Sequence, residues 1–308
     1  MSKANFPIDP VLTAIAIAYR NRHMIADSVL HRTPVAKQEF KYRQYDLGES
    51  FTVPDSRVGR TSRPNQVEFS AKEITQSTED FALDAPVPNA DIKNAPNGYN
   101  PKGRAVEQTT NLIELGREIR TAQLVFNENS YANGLKKTLS GDTQWSHDDA
   151  NPIDHILEAL DAPVMRPNVM VLGQRAATAL RRNKAIVKAY NGTLGDSGLV
   201  PLAFIRDLFE VEEILVGQAL VNAVNPGKKP VLSRAWGNHC ALFYRDLLAD
   251  TNGGATFGMT AQFGEREVRE IFDEDMGYRG GSRLRVGESV KELIVAKDLG
   301  YFLKDVAA

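Results

Sequence analysis

The run from Gly103 to Tyr131, GRAVEQTTNLIELGREIRTAQLVFNENSY, is the longest stretch of the chain that reads as one uninterrupted helix. It holds no proline, and Leu112, Leu115, Ile119, Ala122 and Phe126 recur at steps of three, four, three and four residues. Those steps place them on one stripe of a helix with about 3.6 residues per turn. Glu114, Arg117, Glu118 and Arg120 fall off the stripe and are expected to face solvent or neighbours. Pro101 stands just before the run, and Asn133-Gly134 follows it as a pair that ends helices in the left-handed conformation. At about 1.5 Å per residue the helix would span roughly 40 Å, the width of a domain. A chain with such a strut must wrap other elements around it, and the stripe is expected to pack on the C-terminal strands.

With 308 residues, 42% hydrophobic and 25% charged, there is enough apolar surface for two lobes with cores. Disordered and collagen-like classes are excluded. A formal charge of -2 argues against a histone-like nucleic-acid binder. The single cysteine, Cys240, allows no intrachain disulfide, so the fold closes by packing, as suits a reducing compartment. Near the N-terminus, the apolar run Val11 to Ala18 is too short to span a membrane and reads as an amphipathic arm helix, Val11 to Tyr19.

From Glu39 the period shortens. Phe40, Tyr42 and Gln44 alternate with Lys41, Arg43 and Tyr45, and Val67, Phe69 and Ala71 alternate with Glu68, Ser70 and Lys72, as in two half-buried strands. Their connection, Asp46 to Asn65, is far longer than a tight hairpin turn and carries Arg57, Arg60 and Arg63. It reads either as a solvated loop or as an arm reaching another subunit. The stretch 78–103, with Pro86, Pro88, Pro96 and Pro101, is expected to hold no regular element. A helix should start near Asp154, capped by Asn151 or Asp149. Beyond Pro163 comes an α/β texture: strand Val169 to Leu172, helices Gln174 to Tyr190 and Pro201 to Phe209, strands Ile214 to Val216 and Ala241 to Tyr244. Asn225 to Gly237 interrupts it as a loop tipped by Lys228 and Lys229, and strands return from Thr256.

No motif yields a catalytic site. Gly195-Asp196-Ser197-Gly198 and His239-Cys240 resemble segments of serine proteases, but the order of histidine and serine is wrong. Gly192, Gly195 and Gly198 are better read as turn residues. His147, Asp148, Asp149, Asp154 and His155 could suggest a metal, yet helix capping explains them without one. Gly173 after strand Val169 to Leu172 lacks the G-x-G-x-x-G needed for a dinucleotide. The acidic run Glu265, Glu267, Glu270, Asp273, Glu274, Asp275 lacks calcium-loop spacing and reads as a solvated or partner-facing surface. No cofactor, metal or enzymatic activity is expected, and Cys240 reads as an inert buried thiol.

The order of parts (short arm, long-looped hairpin, long helix, α/β lobe, returning strands) resembles the major capsid proteins of tailed bacteriophages, the Hong Kong 97-type fold shared with encapsulin shells. The ending GESVKELIVAKDLGYFLKDVA is similar to the closing segment of many such proteins. The resemblance implies an α+β, Hong Kong 97-like chain with an N-terminal arm (1–35) and an extended loop (36–85). A peripheral domain (86–150) would carry the spine helix 103–131, followed by an axial α/β domain (151–255) and C-terminal strands completing the peripheral domain (256–308). It implies a structural protein of the virion, self-assembling in the host cytoplasm into pentamers and hexamers of an icosahedral head around double-stranded DNA, which it would touch weakly and non-specifically. A separate scaffolding protein, a portal protein and a decoration protein are the other implied partners; no membrane is. Arg57, Arg60, Arg63, Lys228 and Lys229 would meet neighbouring subunits, with Glu265, Glu267 and Glu270 as candidate acceptors. The alternatives are an encapsulin-like compartment and, less favoured, a cytosolic hydrolase using His147, Asp149 or Ser197.

Overall fold

The computed structural model describes residues 24–45, 51–67, 71–222, 231–251 and 253–308. The arm helix expected at Val11 to Tyr19 lies outside them. The long helix spans Pro101–Val125. It begins earlier than the periodicity suggested because Asn100 caps it, accepting from Gly103 N at 3.1 Å, and Pro101 occupies its first turn. It ends earlier because the next residues supply partners for its last carbonyls: Ser130 Oγ donates to Leu124 O at 2.6 Å and Tyr131 Oη to Val125 O at 2.8 Å. A 3-10 turn, Glu128–Ser130, occupies the stretch expected to be helical.

The helix lies across a four-stranded sheet of order β1 (Arg32–Val35), β11 (Gly258–Asp273), β12 (Gly281–Ile294), β4 (Glu79–Pro88), its main contacts being with β12 and β4. Strand β4 and a short helix, Asn89–Lys93, fall in the proline-rich stretch expected to be irregular. The reason is position. β4 is an edge strand, where a residue without an N–H costs no ladder bond, so Pro86 and Pro88 are tolerated. Val87, Val106, Ile113, Val268, Leu284 and Val286 form the core between helix and sheet. A two-stranded ribbon, β2 (Glu39–Tyr45) with β3 (Ala71–Ser77), buries Phe40 and Tyr42 against Met259, Ala261 and Leu293. The alternation read at Phe40 and Tyr42 therefore holds, but the second strand starts at Ala71 rather than Val67, which is exposed.

A second sheet has the order β5 (Lys136–Thr138), β13 (Gly300–Lys304), β10 (Cys240–Phe243), β6 (Val169–Gly173), β7 (Glu213–Gly217). Helices Pro152–Asp161, Gln174–Arg182, Lys184–Asn191 and Leu202–Phe209 accompany it. Asn151 is the cap of the first, accepting from Ile153 N at 3.2 Å. The single helix expected from Gln174 to Tyr190 is two, because Asn183 leaves helical geometry to cap the second and donates to the carbonyls of Trp145 and Ala150. Gly192 and Gly195 have φ of 60° and 132°, as turn glycines do. Two C-terminal strands, β11 and β12, complete the sheet under the long helix, whereas β13 crosses to the other sheet and pairs with β10 and β5. Among the described residues no helix is long and apolar enough to cross a membrane.

Gly116 sits within the long helix with only Arg120 Nη1 near its missing Cβ, at 3.7 Å. Gly116→Ala should stabilise the subunit by about 0.5–1 kcal/mol, since alanine costs less backbone entropy in a helix. A lower urea midpoint for the variant would contradict this.

Candidate assembly surfaces

Every residue of 51–67 is exposed, including Arg57, Arg60 and Arg63. Phe51 is 68% and Val53 89% accessible. The segment is rich in Ser, Pro and Gly, and its few apolar side chains meet no core. Lys228 and Lys229 lie outside the described residues. On either side of them in the chain, β8 (Leu220–Asn222) pairs with β9 (Leu232–Arg234), so part of the loop expected at Asn225 to Gly237 is a strand, with Leu220, Val231 and Leu232 exposed.

The acidic run does not stand free as a set. Glu270 is bonded within its own chain to Lys102 Nζ at 2.5 Å and Ser282 Oγ at 2.6 Å. Glu267 pairs with Arg269 at 2.6 Å and Asp273 with Arg283 at 3.0 Å. Both pairs lie along or across the β11–β12 hairpin, whose two-residue period brings such neighbours together. Glu265, Glu274 and Asp275 are exposed. The hairpin tip also exposes Phe272 and Tyr278.

The charges of the long helix are where the sequence reading departs furthest from the structure. Leu112 is 56% exposed, whereas Arg117 is 2% and Glu118 0% exposed. The buried face runs through Val106, Thr110, Ile113, Arg117, Thr121 and Val125, a second stripe at helical spacing whose threonines and arginine disguise it. Arg117 donates to Leu30 O at 3.1 Å and Thr260 Oγ1 at 2.9 Å and pairs with Asp27. Burial lowers its pKa to about 10, against the opposing pull of Glu288 and Glu292, so it stays charged near neutrality. Arg120 holds Glu292 with two bonds, at 2.9 and 3.2 Å, and stacks 3.6 Å over the Phe81 ring. Arg266 bridges Glu114 at 2.7 Å and Glu288 at 3.0 Å, and Arg32 reaches Glu288 at 2.9 Å. Burial pushes the Glu288 carboxyl up, but the surrounding arginines, Arg32 and Arg266 first, bring it below its ordinary value. Four arginines thus face Asp27, Glu114, Glu288 and Glu292, joining segment 24–35, the helix and the β11–β12 hairpin.

Glu118 does a separate task. Its carboxylate accepts Ile25 N at 3.0 Å, Ala26 N at 2.8 Å and the Trp236 indole N–H at 2.6 Å. Burial raises its pKa in spite of these bonds. Trp236 crosses the ends of β6 and β7, and a Cβ on Gly217 would overlap its ring.

The groups considered for chemistry have local uses. Asp148 pairs with Lys184 at 2.8 Å, Asp154 accepts from Asn151 at 2.6 Å, and His155 Nδ1 accepts from the Trp145 indole at 3.4 Å. His147 lies 3.3 Å from Asp142 and 4.0 Å from Asp149. Ser197 is exposed beside Asp196, while His239 Nδ1 accepts the Asp305 amide at 2.9 Å. Cys240 is fully buried, and burial raises its thiol pKa strongly.

No protein-family model matches the chain. It is 62% identical over 308 residues, all of both chains, to the major capsid protein of Pseudomonas phage JBD67. It is 29% identical over 247 residues, 78% of this chain and 77% of the other, to the major capsid protein of Burkholderia phage BcepMu. Among solved structures, a phage-related protein from Bordetella bronchiseptica RB50 superposes with TM-score 0.76 at 23% identity, covering 98% of each chain. The capsid of cyanophage P-SCSP1u gives TM-score 0.58 at 9% identity over 93% and 89%. The encapsulin complex of Synechococcus elongatus PCC 7942 gives 0.55 at 13% over 94% and 90%. The last two fix the fold as the Hong Kong 97 type, and the full-length identity decides the family. The chain belongs to the major capsid proteins of phages, structural and non-enzymatic subunits that assemble into the shell of the virion.

Proposed function

We propose that each copy of this chain reaches over its neighbour with the extended segment between β2 and β3, and that Arg57, Arg60 and Arg63 there pair with carboxylates of the next copy. The observation that carries this is the uninterrupted exposure of 51–67, apolar residues included. Isolated subunits gain nothing from presenting Phe51 and Val53 to water, whereas many such weak contacts closed by symmetry hold a shell together. Because Glu267 and Glu270 are already paired at home, the acceptors narrow to Glu265, Glu274 and Asp275. Lys228 and Lys229 remain candidates for a second contact.

In this reading 1–35 is the arm and 36–85 the loop, contributing β1 and β4 to the sheet under the long helix; 86–150 with 256–308 make the peripheral domain except β5 and β13, which join the sheet of the axial domain, 151–255. Copies form pentamers and hexamers in the host cytoplasm, with a separate scaffolding protein, a portal and a decoration protein as further partners. The shell closes around double-stranded DNA that the near-neutral subunit grips weakly.

Electron microscopy of the expressed protein with and without R57E, R60E and R63E together tests this. Wild type should give uniform shells whose assembly weakens with salt. The triple variant should need at least about tenfold more subunit, as expected for loss of about 1.4 kcal/mol per contact, and Glu265→Arg should restore part of the loss. Unchanged assembly and salt sensitivity in the triple variant would refute the pairing. A raised ratio of absorbance at 260 to 280 nm in purified virus particles separates a DNA head from an encapsulin-like compartment.

A further inference from the structure

We infer that Glu118 is a positioning residue for assembly, one carboxylate that fixes the root of the exposed β8–β9 ribbon against the helix Ala26–Val29 that leads into β1. Three observations converge on it. Its donors come from two segments far apart in the chain, Ile25 and Ala26 on one side and Trp236 on the other, and both converge on the long helix. It is completely buried, so no water substitutes for a lost partner. One of the donors, Trp236, also sits at the root of an exposed element. Ile25 and Ala26 open the four-residue helix Ala26–Val29, which leads into β1. Trp236 follows β9, whose hairpin with β8 leaves Leu220, Val231 and Leu232 exposed on strands of only three residues. A ribbon that short has little stiffness of its own. Its angle to the body is therefore fixed at its root, by Trp236 wedged against Gly217 and bonded to Glu118.

The charged groups around this joint are Arg117 and Asp27, which bond to each other while Asp27 also takes Arg32 and neither bonds Glu118, and His239, whose ring packs edge-on against Phe126, itself edge-on to Trp236. Glu118 is thus met by N–H donors of two distant segments and serves as the common reference for both. A change there should alter how subunits fit together as well as how firmly each one is folded.

This inference rests on the shell-forming reading, and its test keeps the two apart. Glu118→Gln keeps the shape but turns an amide N–H₂ toward a site made of donors. Trp236→Phe keeps the wedge and removes the indole N–H. Both are compared with wild type for the concentration of folded subunit at which shells appear, for shell diameter by electron microscopy, and for the urea midpoint of the unassembled subunit. Each variant should raise the assembly threshold about tenfold or broaden the diameter distribution. The double variant should do little more than Glu118→Gln alone, because the bond that Trp236→Phe removes is among those Glu118→Gln already disturbs. If both variants lose urea stability yet assemble at the wild-type threshold, per folded subunit, to the wild-type diameter, Glu118 is a structural residue and the inference is overturned. Should Glu118→Gln fail to fold, the Trp236→Phe threshold alone decides, a wild-type value refuting it. If wild type itself forms no shells, the underlying functional reading is what fails.

Discussion

Arg117→Ala should lower the stability of the unassembled subunit by about 3–4 kcal/mol, while Leu112→Ala on the same helix should change it by less than about 0.5 kcal/mol. The ordinary expectation is the reverse, since leucine on a helix is the usual core residue. Here Arg117 is buried and fills the space between the helix, Leu30 and Thr260, whereas Leu112 is more than half exposed. Truncating Arg117 removes two hydrogen bonds and its pair with Asp27, and leaves a void. It also strips one of the positive charges that lower the Glu288 carboxyl pKa, and the cation 3.7 Å from Glu292. Arg117→Met should restore the packing part alone, because Asp27 then turns to Arg32 and water while the buried carboxylates keep one cation fewer. Urea titration of the three variants reads this directly. Equal losses for Arg117→Ala and Leu112→Ala would mean that the buried charges are not the helix's anchor.

Gly173→Ala should cost 3 kcal/mol or more and in practice yield insoluble protein, by the overpacking argument taken to its extreme. Gly173 ends β6 at φ -67°, a conformation open to any residue, so backbone freedom is not why glycine stands there. What excludes a side chain is space: a Cβ would overlap the carbonyl oxygen of Gly237, the residue after Trp236. No rotamer relieves a clash with backbone. Gly134 makes the contrast, with φ of 88° and nothing within 4 Å of its missing Cβ. Gly134→Ala should cost only the roughly 1–2 kcal/mol of left-handed strain. If soluble expression and thermal midpoint fell equally in the two variants, the crossing of Trp236-Gly237 over the strand ends would not be the constraint.

These two positions show why part of the molecule was legible and part was not. Phe40 and Tyr42 announced a half-buried strand because alternation is a local property of the backbone, and the ribbon honours it. Asn151 announced a helix start because a cap needs only its own next residues. Gly192 and Gly195 read correctly as turns for the same reason. Pro86 and Pro88 misled, because a proline's cost depends on whether its strand has a neighbour on that side, and β4 has none. The acidic run misled in part, because Glu270 looked free until Lys102 was brought to it from 168 positions away.

The long helix gathers both kinds of information. Its existence, and its role as the element the other parts wrap, follow from uninterrupted period and the absence of proline, and the order of elements around it was enough to point to a shell protein. Its buried face was decided elsewhere. Two stripes at helical spacing compete on Pro101–Val125, one apolar through Leu112 and Leu115, one mixed through Arg117 and Thr121, and hydrophobicity favours the first. The second is buried because Asp27, Glu288 and Glu292 arrive from distant parts of the chain to pair its charges, and a buried arginine is tolerable only when such partners are in place. Whether they are in place is a property of the folded chain, which no window of sequence around the helix contains.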